Sequence, residues 1–224
     1  MLQILRTSTI MLALFTVITG VAYPFAVTAV AQIGFPKGAN GSLFEKPRGA
    51  ASSPAHTNAR DWRSASNQPP QWAGSEFIGQ PFSDPAYFWG RPSATAPVAY
   101  NGMGGSGSNQ APTNPALVDA VRDRVAKLRQ EDPENLAKVP VDLVTASASG
   151  LDPHISEAAA LYQVGRVARL RKIEPYTLNK LVLSHLERPT IGIFGQTRVN
   201  VLKLNLALDA KTEEVSKLVI PAPQ

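Results

Sequence analysis

Hydrophobic and polar positions are laid out along this chain in two different ways. From Thr7 to Pro36 no residue carries a charge, and Ile10 to Ala31 reads IMLALFTVITGVAYPFAVTAVA. At 1.5 Å per residue such a stretch reaches about 33 Å, enough for the roughly 30 Å hydrocarbon core of a bilayer. Residues 1–36 are therefore expected to form an N-terminal segment with one transmembrane helix over about 10–31. Gly20 and Pro24 would weaken a soluble helix, but both are tolerated in membrane helices. A cleavable signal peptide is the competing reading, with Arg6 as its charged end and Ala29-Val30-Ala31 as a small-x-small site before Gln32. Because the apolar run exceeds the roughly 7 to 15 residues of a signal, a retained anchor is favoured. Arg6 then places the N-terminus in the cytoplasm and residues 37–224 outside.

Beyond the anchor the pattern changes. Residues 45–75, rich in Pro, Ser, Ala and Asn, show no apolar period and predict an irregular loop. Pro92 to Asn114 predicts a second loop, ending at Asn114-Pro115, a capping residue followed by proline at the first helical position. A helix follows over about Pro115 to Glu131, with Leu117, Val121, Val125 and Leu128 on one stripe. Val139 to Thr145 has the β-favouring character of a strand. Ser156 caps a second helix through Leu170, with Leu161, Val164 and Val167 inward and Arg166, Arg169, Arg171 and Lys172 as a charge run at its end. Glu174-Pro175 opens a third helix carrying Leu178, Leu181, Val182 and Leu186, broken by Pro189. Gly192 to Asp209 begins as a strand, and VNVLKLNLALD fits either period. The order predicts one α+β domain over 37–224, without the βαβ alternation of a doubly wound sheet.

Charge and composition narrow the picture. The formal net charge of +5 belongs to the part beyond the anchor, since Arg6 is the one charge in the first 36 residues. No aromatic residues alternate with the basic ones as single-strand binders require, so a solvated basic surface is the reading and nucleic acid is not an expected partner. The chain has no cysteine, which removes disulfides, thiolate nucleophiles and zinc–cysteine sites together.

Candidate chemistry is sparse. The three histidines, His56, His154 and His185, match no metal spacing, and His154 near Asp152 in SGLDPHIS reads as part of a turn that starts a helix. GGSGS at Gly104 to Ser108 lacks the last glycine of a nucleophile elbow and the strand before it. No Lys follows this segment as a phosphate loop needs, so no Walker-type nucleotide site is expected. Metal and catalytic residues are accordingly not assigned.

The motifs become specific when read in order: AQIGFPKGANGSL at Ala31 to Leu43, FIGQPF at Phe77 to Phe82, YFWGRPSAT at Tyr87 to Thr95, GGSGSNQAPTNP at Gly104 to Pro115, PVDLVTASASGLDPHIS at Pro140 to Ser156, and VNVLKLNLALD at Val199 to Asp209. This series resembles the KdpC family, the C subunit of the Kdp potassium-transporting P-type ATPase. The resemblance covers nearly the whole chain apart from the loop around 45–73 and the last dozen residues. It implies an accessory subunit of the cell inner membrane that assembles with a potassium-channel-like subunit and a P-type ATPase subunit. It further implies a catalytic chaperone for ATP binding by the ATPase subunit, with no catalysis of its own and ATP entering only through that partner. The alternative is an exported periplasmic binding protein or hydrolase released from its signal. Within the matching loops, Arg91, Ser93, Asn109, Asn114 and Asp152 stand out as interface or loop-organising residues; an arginine held in a turn makes several fixed hydrogen bonds.

Overall fold

The computed structural model describes residues 2–45, 72–189, 191–192 and 194–219. Two compact units divide it, Met1–Leu43 and Phe44–Gln224.

In the first unit, α1 (Leu2–Val17), a single π turn (Ile18–Ala22) and α2 (Tyr23–Gly34) run on as one helix of 33 residues. No residue of this helix is buried, and it is long and apolar enough to cross a membrane. Its length, about 50 Å, exceeds the apolar core of a bilayer. The short α3 (Pro36–Ala39) follows.

The second unit is α+β, as the order of patterns predicts. Strand β1 (Leu43–Glu45) pairs with β2 (Trp72–Ser75). The irregular loop expected over 45–75 therefore ends in a strand, and its central part lies outside the described residues. A three-stranded antiparallel sheet has the order β3-β5-β4, from β3 (His154–Ser156), β4 (Leu186–Glu187) and β5 (Arg198–Asn200). Its register sets Arg198 opposite Ser156 on one side and Glu187 on the other.

Helix α4 (Pro115–Glu131) starts as expected, with the Asn114 side chain accepting from the Ala116 N–H at 3.0 Å. Its Leu128 is buried, and Val121 and Val125 pack on the core. Helix α5 (Glu157–Arg171) is capped by the Ser156 hydroxyl, which accepts from Ala159 N at 3.1 Å. It stops at Lys172, whose φ of 56° lets the Ile173 N–H turn back to the Ala168 carbonyl. Helix α6 (Pro175–Ser184) is capped by Glu174, and α7 (Val201–Val219) leaves directly from β5. Val167 and Ala168 of α5, Leu178 and Val182 of α6, and Leu204 and Leu208 of α7 form the centre of the core. Burying a Leu or Val side chain of this kind contributes about 1.5–3 kcal/mol.

Three expectations are corrected and one open reading is resolved. Val139 to Thr145 is not a strand but holds a single 3-10 turn, Val141–Leu143. Pro140 lacks a ladder donor, and the Asp142 carboxylate turns to Ser156, accepting its N–H at 2.7 Å and its hydroxyl at 3.2 Å. Leu186 belongs to β4, since α6 ends at Ser184. The ambiguous VNVLKLNLALD splits between β5 and α7. Leu161, expected inward, is exposed, and in the charge run Arg166 is buried at 2% exposure.

The reason for that burial lies in the segment Asp84–Pro92, which turns at Asp84–Tyr87 and then runs on through Phe88 and Trp89 with no strand beside it among the described residues. Asn205 of α7 accepts from Phe88 N at 2.9 Å and donates to Phe88 O at 3.0 Å. Gln163 of α5 does the same for Trp89, at 2.8 and 3.1 Å. Two buried carboxamides thus replace a neighbouring strand, satisfying backbone groups that cannot reach water. Arg166 donates to Pro85 O and Tyr87 O, bonds Gln163 Oε1 at 2.7 Å and stacks on the Trp89 ring.

Candidate functional site

The clamped segment delivers Arg91 to a cleft of about 440 Å³ whose lining includes Asp142, Asp152, His154, Ser156 and Arg198. Arg91 Nη1 lies 3.1 Å from Asp152 Oδ2, and Nη2 reaches the Ala146 carbonyl at 3.4 Å. Its Nε is buried without an acceptor. On the backbone side, the Tyr100 hydroxyl donates to the Arg91 carbonyl. The Ser93 hydroxyl donates to Gly150 O at 2.7 Å and accepts from Tyr100 N at 2.9 Å, tying YFWGRPSAT to SGLDP. Gly150 sits at φ +67°, where an added Cβ would fall 2.5 Å from Thr95 Cγ2 and 2.7 Å from the Ser106 carbonyl. Only glycine fits there.

A chain of polar and charged contacts runs on from Asp152. His154 Nδ1 is 3.4 Å from Asp152 Oδ1, and its Nε2 is 3.3 Å from Glu187 Oε2. Glu187 in turn meets Arg198 Nε at 3.2 Å and Lys203 Nζ at 3.0 Å, and Lys203 also holds Glu76 at 2.6 Å. Burial pushes the Asp152 carboxyl up, but the side-chain and backbone bonds from His154, together with Arg91, outweigh it and hold the group below its ordinary value. Burial likewise acts to raise Glu187, and Lys203 and Arg198 outweigh it. Tyr100 is pushed up to about 12, by burial first and by the Asp152 charge second.

Of the residues singled out from sequence, Arg91, Ser93 and Asp152 come together around the Gly150–Asp152 turn. Asn114 lies apart as the cap of α4, and Asn109 is exposed at φ 52° in the loop before it. Glu187, Arg198, Lys203 and Glu76 escaped the sequence reading. Their one signal, alternation of charge beside short β-favouring runs, is common on any solvated surface. Chemically the arrangement is a brace: Asp152, Glu187 and Glu76 are each engaged by a cation, and the Ser156 hydroxyl beside His154 is committed to Asp142.

Taken together, these features define a class: a small α+β domain in a chain whose N-terminal helix is long and apolar enough to cross a membrane. A family profile described as "KdpC: K+-transporting ATPase, c chain" matches residues 5–60 and 54–210. A potassium-transporting ATPase KdpC subunit of Methylococcus capsulatus is 53% identical over 210 residues, covering 94% of this chain and 99% of that one. KdpC subunits of Dechloromonas aromatica and Polaromonas naphthalenivorans are 50% and 51% identical, each over 94% of this chain and over 98% and 96% of their own. The chain belongs to the KdpC family.

Proposed function

We propose that this protein is a non-catalytic accessory subunit of an ATP-driven potassium-uptake complex. It is held in the cell inner membrane by its N-terminal apolar helix, with the α+β domain on the periplasmic side. It joins a potassium-channel-like subunit to a P-type ATPase subunit, stabilises their assembly and acts as a catalytic chaperone that raises the ATP affinity of the ATPase subunit. ATP is bound by that partner. A domain outside the membrane cannot touch cytoplasmic nucleotide, so the effect is a coupling free energy carried through the complex. The observation that carries this reading is the match to KdpC along both the apolar helix and the domain.

The test is purification of the complex through a tag on the ATPase subunit, with and without this chain. Loss of the chain is expected to lower recovery of the complex and raise its KM for ATP. An intact complex with unchanged KM would refute the proposal, as would ATP turnover by the isolated chain. Because the chain has no cysteine, Met103→Cys at a fully exposed position reports sidedness. It is expected to react with a membrane-impermeant thiol reagent added outside intact spheroplasts, and protection there would refute the periplasmic placement.

A further inference from the structure

A helix survives in hydrocarbon because each backbone carbonyl finds an N–H within its own segment. At Ile18–Ala22 this pairing slips. The Tyr23 N–H, which an α-helix would send to the Thr19 carbonyl, bonds to Ile18 O instead. The next donor along the chain would be residue 24, which is proline and has no N–H. The Thr19 carbonyl is thereby left without its α-helical and its π-helical donor. Its own side chain brings no relief, since the Thr19 hydroxyl donates to Phe15 O at 2.7 Å.

This acceptor lies in the middle of the span, about 20 Å along the helix from Arg6 and about 22 Å from Gly34. Water is scarce at that depth. Beside it, Gly20 has nothing within 4 Å of the place a Cβ would take, so the backbone there is open to close approach. An exposed carbonyl with its partial negative charge calls for a hydrogen-bond donor, and a glycine next to it provides the room. A second copy of this helix, packed in parallel and in register, would bring only another Thr19, whose hydroxyl is already committed to Phe15.

We propose that the Thr19 carbonyl and Gly20 form the docking point for a transmembrane helix of another subunit of the potassium-transporting ATPase, and that this helix presents a side-chain N–H or O–H donor at mid-membrane depth. The inference rests on the subunit reading above. Pro24 also denies the Gly20 carbonyl its α-helical donor, so the helix's own ladder is open at this level, and the π turn offers the Thr19 carbonyl to the partner.

The full-length protein, carrying a ¹³C=¹⁸O label at the Thr19 carbonyl, is compared in lipid alone and within the assembled complex by isotope-edited infrared spectroscopy. The labelled amide I band is expected to move to lower wavenumber on assembly. Gly20→Leu is expected to insert in the membrane normally, to be retained on the tagged complex about threefold to tenfold less well, and to show no band shift. A wild-type chain that is retained while its band stays still would overturn the proposal and leave the subunit reading standing. Undiminished retention of Gly20→Leu would overturn the docking point in the same way. Failure of the wild-type chain to be retained at all would overturn the subunit reading, and the proposal with it.

Discussion

Replacing Asn205 by leucine tests whether the segment over α5 and α7 is held by its carboxamide clamps. Asn205 is 1% exposed and Phe88 is fully buried. Leucine has the same branched shape and is somewhat larger, so no cavity opens. What changes is that Phe88 N–H and C=O lose their partners at 2.9 and 3.0 Å and cannot turn to water. Each buried backbone group left unsatisfied costs about 1–3 kcal/mol, so the pair costs about 2–6 kcal/mol, of which the more apolar side chain offsets about 1 kcal/mol. A net loss of about 3 kcal/mol is a large share of the 5–15 kcal/mol typical of a domain. Urea unfolding of the full-length chain in mild detergent, followed by far-ultraviolet circular dichroism, measures it. With a slope of about 2 kcal/mol per molar urea, the midpoint should fall by about 1.5 M. A fall under about 0.3 M at unchanged slope would refute the clamp.

Gly150→Ala should destabilise the domain by at least about 1–2 kcal/mol, because its φ of +67° is left-handed and the new Cβ meets Thr95 and the Ser106 carbonyl; an unchanged urea midpoint would contradict this. Asp152 ionises more readily when folded than when unfolded, so its contribution is present above about pH 4 and lost as pH falls through the lowered folded value. Acid titration of stability should therefore be less steep in Asp152→Asn than in the natural protein. Tyr100 has the opposite sign: its contribution is intact below its unfolded value near 10 and disappears as pH rises through about 12. Tyr100→Phe should remove that alkaline limb, measured as stability against pH, while also losing the hydrogen bond to Arg91 O.

Helix starts were legible from sequence because they are local. Asn114, Ser156 and Glu174 each cap the helix that begins one residue later, and the signal needs only three or four neighbouring positions. The run from Val139 to Thr145 misled because the Asp142 carboxylate is committed to Ser156, fourteen residues on, which local β propensity does not register. The burial of Arg166 is not legible along the helix, because its carbonyl partners at Pro85 and Tyr87 lie about eighty residues earlier. The meeting of Arg91 with Asp152 was approachable only as two matching loops, since their contact depends on the Gly150 turn and the Ser93 hydroxyl. Glu187, Lys203 and Glu76 converge through the sheet register and through α7, which no pattern along the chain encodes.

The clamped segment also sets a timetable for synthesis. Phe88 leaves the ribosome 117 residues ahead of Asn205, which must arrive before its backbone is fully paired. At about 5–20 residues per second that interval is roughly 6–23 s. Throughout it the aromatic run Tyr87-Phe88-Trp89 has no carboxamide from α7 to hold it, so the core closes only near the end of translation.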